Sequence, residues 1–247
     1  MTAGRFITFE GADGVGKTTQ ISLLAERLGA AGQRCLVTRE PGGTPFAERL
    51  RSLILDPDTP EHAPLAEALL FAAARQDHVA RVIGPALAAA TWVLCDRFAD
   101  STRAYQGAAG GVDGATLRQV EGIAHPGCQP DLTIVLDLPP ELGRARLKAR
   151  NDVAASPTAG PAGGSAAIAP EAVPAGGAPD RFERRDDAFQ SRLRNAFLEI
   201  AAKEPERCAV VDASRSPEAV HAAIWALLTA RLRSGSGPDG GQAMGAG

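Results

Sequence analysis

The sequence predicts one α/β domain built on a doubly wound, five-stranded parallel sheet with helices on both faces. Five short apolar runs, each the length of a buried strand, alternate with longer segments whose apolar residues recur at helical spacing. The chain has 247 residues, of which 45% are hydrophobic, so it can bury a sizeable core. The first apolar run leads directly into a glycine-rich segment, which also favours this class of fold.

The first two strands and the helix between them form a β-α-β unit. Residues 5–10 and 34–38 have the short apolar pattern of buried strands. Between them, residues 20–31 carry apolar side chains at helical spacing: Ile21, Leu23, Leu24 and Leu28. Because parallel strands joined through a helix cross over with a right hand, this unit fixes the handedness of the first connection.

The glycine-rich segment after the first strand is Gly11-Ala12-Asp13-Gly14-Val15-Gly16-Lys17-Thr18, which spells G-x-x-x-x-G-K-[ST]. Backbone N–H groups of such a loop and the positive end of the next helix hold a triphosphate. Lys17 is placed to reach the β- and γ-phosphates, and the Thr18 hydroxyl to ligate the Mg²⁺ that bridges them. The segment therefore predicts a P-loop NTPase fold, with a nucleotide bound by residues 11–18 and Thr19.

The second strand ends in a tightly shaped loop, Arg39-Glu40-Pro41-Gly42-Gly43-Thr44. Loops at the carboxyl ends of strands are where open α/β sheets bind ligands. Arg39 and Glu40 are either a solvated ion pair or part of a ligand site, and their position favours the site.

Two helical patterns follow, at residues 46–55, which include Arg49 and Arg51, and at residues 63–90. In the second pattern Phe71 and Arg75 lie four residues apart, so they share a face. An aromatic ring and a guanidinium on one face can stack on a flat base and hydrogen-bond it. For an isolated pair, a core phenylalanine beside a surface arginine is the alternative.

The third strand, at residues 92–95, is followed at once by Asp96 and Arg97. A carboxylate in this position can hold Mg²⁺ through water, and the next arginine can reach a transferring phosphate. Residues 100–107 hold the only tyrosine of the chain, Tyr105. By themselves they are compatible with an ordinary polar helix start.

The remaining predicted elements are a helix at 114–124, a strand at 132–137, a helix at 139–150, a helix through Phe189 and Phe197, a strand at 208–212 and a helix at 217–231. Residues 152–179 interrupt this order, because 20 of the 28 are Ala, Gly or Pro. We expect a flexible insertion there, since such a composition buries too little surface to become ordered. The predicted organisation is one domain at residues 1–233 and a disordered tail at 234–247.

The net charge and the cysteines limit the kinds of partner that the protein can be expected to bind and the compartment in which it can be expected to lie. The net charge of −3 gives no reason to expect binding to nucleic acid or to an anionic membrane. No apolar run approaches the roughly 20 residues that span a bilayer, and the first strand begins too early for a signal peptide. The four cysteines have no metal-binding spacing and fit reduced core thiols, which predicts a cytoplasmic protein.

Taken in order, these segments resemble the thymidylate kinase family. The resemblance covers residues 6–232 and rests on the glycine-rich loop, Thr-Arg-Glu-Pro-Gly-Gly, Leu-Leu-Phe-Ala-Ala-Ala-Arg, Asp-Arg-Phe, Ser-Thr-x-x-Tyr-Gln, Pro-Asp-Leu-Thr and Asp-Arg-Phe-Glu. Each motif alone is weak, whereas the ordered set is specific. The resemblance implies transfer of the γ-phosphoryl group of ATP to dTMP, giving dTDP for the synthesis of dTTP, with Mg²⁺ as cofactor.

The resemblance also implies how the base and the sugar of dTMP are bound. Phe71 would stack on the thymine ring, and Arg75 would donate to a ring carbonyl. Thr102 and Gln106 would complete the polar edge of the base. Tyr105 would crowd the sugar, so that a ribose hydroxyl is disfavoured.

For the phosphates, the resemblance implies a set of cations and two carboxylates. Arg39, Arg51 and Arg97 would bind the phosphate of dTMP, and Asp96 would support Mg²⁺ through water. Asp13 would hold the 3′-hydroxyl of the substrate and lie near the metal.

The position of one further arginine differs between types of family member. Some members place it in the glycine-rich loop and others in a lid. Because the variable loop positions here contain no arginine, the chain resembles the bacterial lid-arginine type. Arg181 would then reach the phosphates from the lid and join Lys17, Arg97 and Asp13 as a catalytic residue, while Arg150 would lie against adenine. The resemblance further implies a homodimer that uses helices of residues 63–90, and a cis peptide before Pro41.

Two other functions remain open at this point. Another nucleoside monophosphate kinase, acting on dUMP, UMP or CMP, would share the phosphate-binding residues and differ only in the base pocket. A P-loop ATPase switch is the other, although the chain lacks an Asn-Lys-x-Asp segment for reading guanine and has more arginines than one phosphate-binding site needs.

Overall fold

The computed structural model describes residues 4–154, 182 and 185–232. Its centre is a parallel sheet of five strands: β1 (Phe6–Glu10), β2 (Cys35–Arg39), β3 (Trp92–Asp96), β4 (Leu132–Asp137) and β5 (Cys208–Asp212). This confirms the predicted fold class, and each strand begins and ends within one residue of its predicted bounds.

The strand order is β2-β3-β1-β4-β5. The chain runs from central β1 out to β2, returns to β3, and then crosses to β4 on the other side of β1. Open α/β sheets bind ligands where the order reverses in this way, outside the carboxyl ends of the strands. The segments that follow β1, β2 and β3 all meet at this edge.

Along the chain the helices connect successive strands, except the last helix, which follows β5. They are α1 (Lys17–Ala30), α2 (Pro45–Leu55), α3 (Pro64–His78), a π-helical turn (Val79–Ile83), α4 (Gly84–Ala88), α5 (Ala99–Thr102), a second π-helical turn (Arg103–Ala108), α6 (Gly114–Ala124), α7 (Pro140–Ala154), α8 (Asp187–Lys203) and α9 (Pro217–Leu232). Among the described residues, no helix combines the length and the apolar character needed to cross a bilayer.

Three predicted helices differ from the structure by more than one residue. Helix α1 begins at Lys17 rather than at residue 20, because its first turn is polar and apolar spacing does not mark it. The single pattern at 63–90 is divided by a π-helical turn, in which the Gly84 N–H bonds to the carbonyl of Val79, just before Pro85, which has no N–H to donate. Helix α7 continues to Ala154, so the predicted insertion at 152–179 begins three residues too early, and its remainder and the tail lie outside the described residues.

The core fills both faces of the sheet. On one face, buried side chains of α1 and α9 pack on the sheet, among them Leu24 and Ile224. On the other face, Phe197 of α8 packs with Tyr105 of the second π-helical turn. All four cysteines are free thiols, and burial raises the pKa of Cys208 to about 11, so this side chain stays protonated at neutral pH.

Candidate functional site

The loop between β1 and α1 has the geometry of a phosphate-binding loop. Gly11 has a φ of 130°, and a Cβ there would lie 2.6 Å from the carbonyl oxygen of Leu136, so only glycine fits this close approach to β4. No side chain caps the N-terminus of α1, which leaves the N–H groups of its first turn for an anion. Thr18 and Thr19 are exposed on that turn.

Lys17 is buried and folded back on its own loop. Its Nζ donates to the carbonyl oxygens of Gly11 (3.2 Å) and Ala12 (2.9 Å). Burial and the nearby Arg97 lower the pKa of the Lys17 ammonium, against the opposing attraction of Asp96 and Asp13. A phosphate bound in the loop would add the negative charge that stabilises this ammonium.

Asp96, at the end of β3, lies beside the first turn of α1. The Thr18 hydroxyl donates to Asp96 Oδ2 at 3.3 Å. Asp96 Oδ1 is buried and has no hydrogen-bond partner in the described part of the chain. A carboxylate oxygen and a hydroxyl are ligands that Mg²⁺ takes, directly or through water, so these two side chains fit the predicted metal position.

Arg97 joins the loop to the segment after β3. Its Nη1 donates to the carbonyl oxygen of Gly11 (2.9 Å) and to Ser101 Oγ (3.1 Å), and its Nη2 donates to Asp13 Oδ1 (2.6 Å). Arg97 has a φ of 69°, a left-handed conformation that is uncommon for a residue with a Cβ. Such local strain is typical of residues that the surrounding structure holds for function.

Asp13 is a charged acceptor at the centre of this arrangement. Burial raises the pKa of its carboxyl, but the charges of Arg97 and Lys17 outweigh burial and bring the pKa below its ordinary value. The Tyr105 hydroxyl lies 3.4 Å from Asp13 Oδ2. Asp13 therefore stays ionised at neutral pH and links the phosphate loop to the segment that carries Tyr105.

A cleft with about 580 Å³ of space, part of it open to solvent, lies next to Asp13. It brings together eight of the residues predicted for substrate binding: Asp13, Arg51, Phe71, Arg75, Arg97, Thr102, Tyr105 and Gln106. The segment that carries the last three is α5 and the second π-helical turn, a rare geometry that is frequent at functional sites. Phe182 also lines the cleft and is buried, with its ring centroid 5.6 Å from that of Tyr105.

The Phe71 and Arg75 pair lies in the wall of this cleft. The Arg75 side chain is only 2% exposed, so the alternative of a surface arginine is wrong. Its Nε donates to Glu40 Oε2 (2.7 Å) and its Nη2 to Thr102 Oγ1 (3.2 Å). Gln106 is fixed in the same wall, because its Nε2 donates to Glu67 Oε2 at 2.8 Å.

Two other predicted phosphate ligands lie near the loop after β2. Arg51 donates from Nη1 to the carbonyl oxygen of Pro41 (2.8 Å), and the peptide before Pro41 is cis, as the resemblance implies. Arg39 pairs with Glu48 at 3.2 Å and does not line the cleft.

A family model described as thymidylate kinase matches residues 9–157. The chain belongs to the thymidylate kinase family. The thymidylate kinase of Nitrobacter hamburgensis is 49% identical over 229 residues, which cover 93% of this chain and 90% of the relative. That of Caulobacter vibrioides is 47% identical, with 94% and 99% covered. The crystal structure of thymidylate kinase from Ehrlichia chaffeensis has a TM-score of 0.66 and 31% identity, covering 92% of this chain and 99% of that one.

Of Arg150, predicted to lie against adenine, and Arg181, predicted for the lid, the structure of this thymidylate kinase family member describes only the first. Arg150 is exposed on α7, and its position against adenine stays a prediction. Arg146, one turn earlier, donates to the carbonyl oxygen of Ala213 in the loop after β5 (2.9 Å). Arg181 lies outside the described residues.

Sequence reasoning missed two carboxylates that support the site, Glu10 and Glu67. Glu10, fully buried at the end of β1, accepts from the Phe98 N–H (2.8 Å) and from Ser101 Oγ (2.6 Å), and so fixes the turn that carries Arg97. Burial, followed by the charge of Asp100, raises the pKa of Glu10 to about 7. A charged residue that ends an apolar strand was the available signal. For Glu67, a helical glutamate, the sequence holds no comparable signal.

Proposed function

We propose that this chain transfers the γ-phosphoryl group of ATP to dTMP, giving dTDP for the synthesis of dTTP. Membership of the thymidylate kinase family supports this reaction. The single observation in the fold that carries it is the position of the cleft, which adjoins the phosphate-binding loop through Asp13 and Arg97. A donor phosphate in the loop and an acceptor nucleotide in the cleft would therefore meet at the two side chains that join them.

Phosphoryl transfer mainly requires that the protein align two anions and place positive charge around the transferring group. We infer that Lys17 exchanges its carbonyl partners for the β- and γ-phosphates of ATP when the loop is filled. Arg97 would then lie between the γ-phosphoryl group and the phosphate of dTMP. An acceptor oxygen of that phosphate attacks the γ-phosphorus, and the bond to the bridging oxygen of ADP breaks.

Mg²⁺ would be held by the Thr18 hydroxyl and, through water, by Asp96. When bound, it supplies charge that offsets the negative charge on the β- and γ-phosphates. The buried Oδ1 of Asp96, which has no hydrogen-bond partner among the described residues, supports this assignment.

The cleft would hold the acceptor nucleotide. Phe71 stacks on the thymine ring, and Arg75, Thr102 and Gln106 provide its polar edge. Tyr105, which is almost fully buried, leaves little room for a ribose 2′-hydroxyl.

At the other end of the acceptor, Asp13 accepts from the 3′-hydroxyl of the sugar. Arg51 and Arg97 line the cleft and bind the phosphate. Arg39 joins them after leaving Glu48, because a salt bridge that is partly exposed is weak enough to exchange.

The assignment of Arg181 to the lid rests on the resemblance to the family. We expect Arg181→Ala to lower kcat by about a hundredfold or more, with the KM for ATP within a few fold, as for loss of a transition-state cation. A variant with near-normal kcat would refute the assignment.

The predicted insertion is expected to be dispensable within a single domain at residues 1–233. Loop closure entropy grows only logarithmically with length, so extra loop residues cost little. Excision of residues 154–178 should therefore leave the protein folded and its kcat within a few fold of that of the full chain. Complete inactivation would instead assign the insertion a function.

A homodimer is the proposed assembly. Leu65 and Leu69 on α3 and Ile123 on α6 are exposed apolar side chains, and the last is 78% exposed. Helices α3 and α6 pack against each other, so these side chains can belong to one contact surface. The unpaired cysteines support a reducing compartment such as the cytoplasm.

The test is ADP release from Mg-ATP with one added acceptor at a time: dTMP, dUMP, ribothymidine monophosphate, UMP or CMP. We expect fast turnover with dTMP, slower turnover with dUMP and little with the ribonucleotides. A preference for dUMP, UMP or CMP would identify a different nucleoside monophosphate kinase. ADP release that needs no acceptor and does not respond to dTMP would support the ATPase switch and refute the kinase.

A further inference from the structure

The Arg75 guanidinium is held from three sides. Glu40 accepts from its Nε at 2.7 Å, and Thr102 accepts from its Nη2 at 3.2 Å. The ring of Phe98 lies against it, with the ring centroid 5.0 Å from the guanidinium carbon. A guanidinium has five N–H donors and no acceptor, so these contacts fix its plane and leave donors for a ligand in the cleft.

Glu40 is itself held by a second residue of α3. His78, one helical turn after Arg75, lies with Nδ1 3.1 Å from Glu40 Oε1, so each carboxylate oxygen has its own partner on the helix. The three side chains are almost completely buried, at 2%, 3% and 0% exposure for Arg75, Glu40 and His78. Burial raises the pKa of Glu40, but Arg75 and His78 outweigh it and bring the pKa below its ordinary value.

The far side of the His78 ring is also occupied. His78 Nε2 lies 2.7 Å from Thr38 Oγ1, at the end of β2. Because the ionised carboxylate of Glu40 only accepts, the proton shared with it must be on His78 Nδ1, and in the neutral ring Nε2 accepts from Thr38. Gly43, with a φ of 85°, packs on the same ring, and a Cβ there would overlap it. The ring therefore has one orientation and, when it is neutral, one tautomer.

We propose that His78 is a specificity-determining positioning residue. Through Glu40, it holds Arg75 in the orientation that selects pyrimidine nucleotides with a carbonyl at ring position 4 over those with an amino group there. This inference rests on the proposed function, since it takes the base of dTMP to lie in the cleft. Arg75 can only donate, so a misaligned Arg75 loses the carbonyl of thymine while an amino group gains nothing.

The test compares two variants, each of which keeps a polar group near the position of only one of the two ring nitrogens. His78→Asn places an amide N–H near the position of Nδ1, so it keeps a donor for Glu40. His78→Gln places its amide near Nε2 and loses that donor. For each protein, kcat/KM is measured for dTMP and for dCMP at saturating Mg-ATP, together with the KM for ATP.

We expect His78→Gln to lower the ratio of kcat/KM for dTMP to that for dCMP by about tenfold. Most of this change should come from a higher KM for dTMP. A tenfold change is the size of effect that one misaligned charged hydrogen bond produces. His78→Asn should keep this ratio within about threefold of the wild type, because the bond to Glu40 that sets the alignment remains. The KM for ATP should not change in either variant. A merely structural role would not move the ratio for the two bases.

Thr38→Val provides a second variant in case His78→Gln does not fold. It keeps the shape of the side chain, removes the hydroxyl that donates to His78 Nε2, and should lower the ratio by about threefold, as for loss of a neutral hydrogen bond. An unchanged ratio in a folded His78→Gln or Thr38→Val, or equal losses in the Asn and Gln variants, would overturn the proposal. If the wild type itself fails to phosphorylate dTMP, the proposed function fails before the variants are compared.

Discussion

Replacing Arg97 by alanine and, separately, by glycine tests both its chemistry and its backbone. Each variant removes the guanidinium that donates to Gly11, Ser101 and Asp13. If Arg97 lies against the transferring group, both should lose about two to three orders of magnitude in kcat, as for one preorganised donor in a transition state.

Stability should separate the two variants. Loss of the charged bond to Asp13 costs both of them about 2 kcal/mol, reduced by the partial exposure of Asp13. Alanine keeps a Cβ at a φ of 69°, which costs about 1 to 2 kcal/mol, whereas glycine does not. The greater freedom of glycine in the unfolded chain lowers the free energy of unfolding of Arg97→Gly by about 0.5 to 1 kcal/mol. Arg97→Gly should therefore be about 0.5 to 1 kcal/mol more stable than Arg97→Ala.

The assays are steady-state ADP release with dTMP and urea unfolding of both variants at one temperature. A glycine variant that is no more stable than the alanine variant would refute the argument from backbone strain. Either variant retaining more than about a tenth of the wild-type kcat would refute the position of Arg97 at the transferring phosphate, since that loss is too small for such a contact.

Three other outcomes are expected. The pKa of Glu10 is raised from 4.5 to about 7, so it contributes stability that is complete below pH 4.5 and is lost as the pH rises through about 7. In urea unfolding, the stability advantage of the wild type over Glu10→Gln should shrink by up to about 3 kcal/mol between acidic and mildly basic pH, and a constant difference would contradict this. Asp96→Asn should raise the free Mg²⁺ needed for half-maximal activity by about tenfold, and an unchanged requirement would remove Asp96 from the metal position. Leu69→Asp should convert the proposed homodimer to a monomer in light scattering, whereas Leu142→Asp, at a similarly exposed leucine on α7, should not; a dimer in both would place the contact elsewhere.

Much of the fold could be predicted because its signals are local. The predicted bounds of all five strands lie within one residue of the observed ones, because apolar runs bounded by polar segments reflect burial directly. The phosphate-binding loop could be identified for the same reason, because all of its residues are contiguous. The predicted start of α1 was wrong by three residues. The first turn of this helix is polar and faces the ligand loop, so apolar periodicity does not mark it.

The support of the site was decided by tertiary structure alone. Glu40 meets Arg75 and His78 across more than 30 residues of sequence, and Glu10 meets Ser101 across 91. Whether such a carboxylate is a solvated surface group or a buried partner depends on the strand order, which makes β2, β3 and β1 neighbours, so that their carboxyl ends lie side by side. Local sequence does not encode that order. It follows from packing of the whole sheet, and a buried charge is tolerated only where the fold has brought its partner within reach.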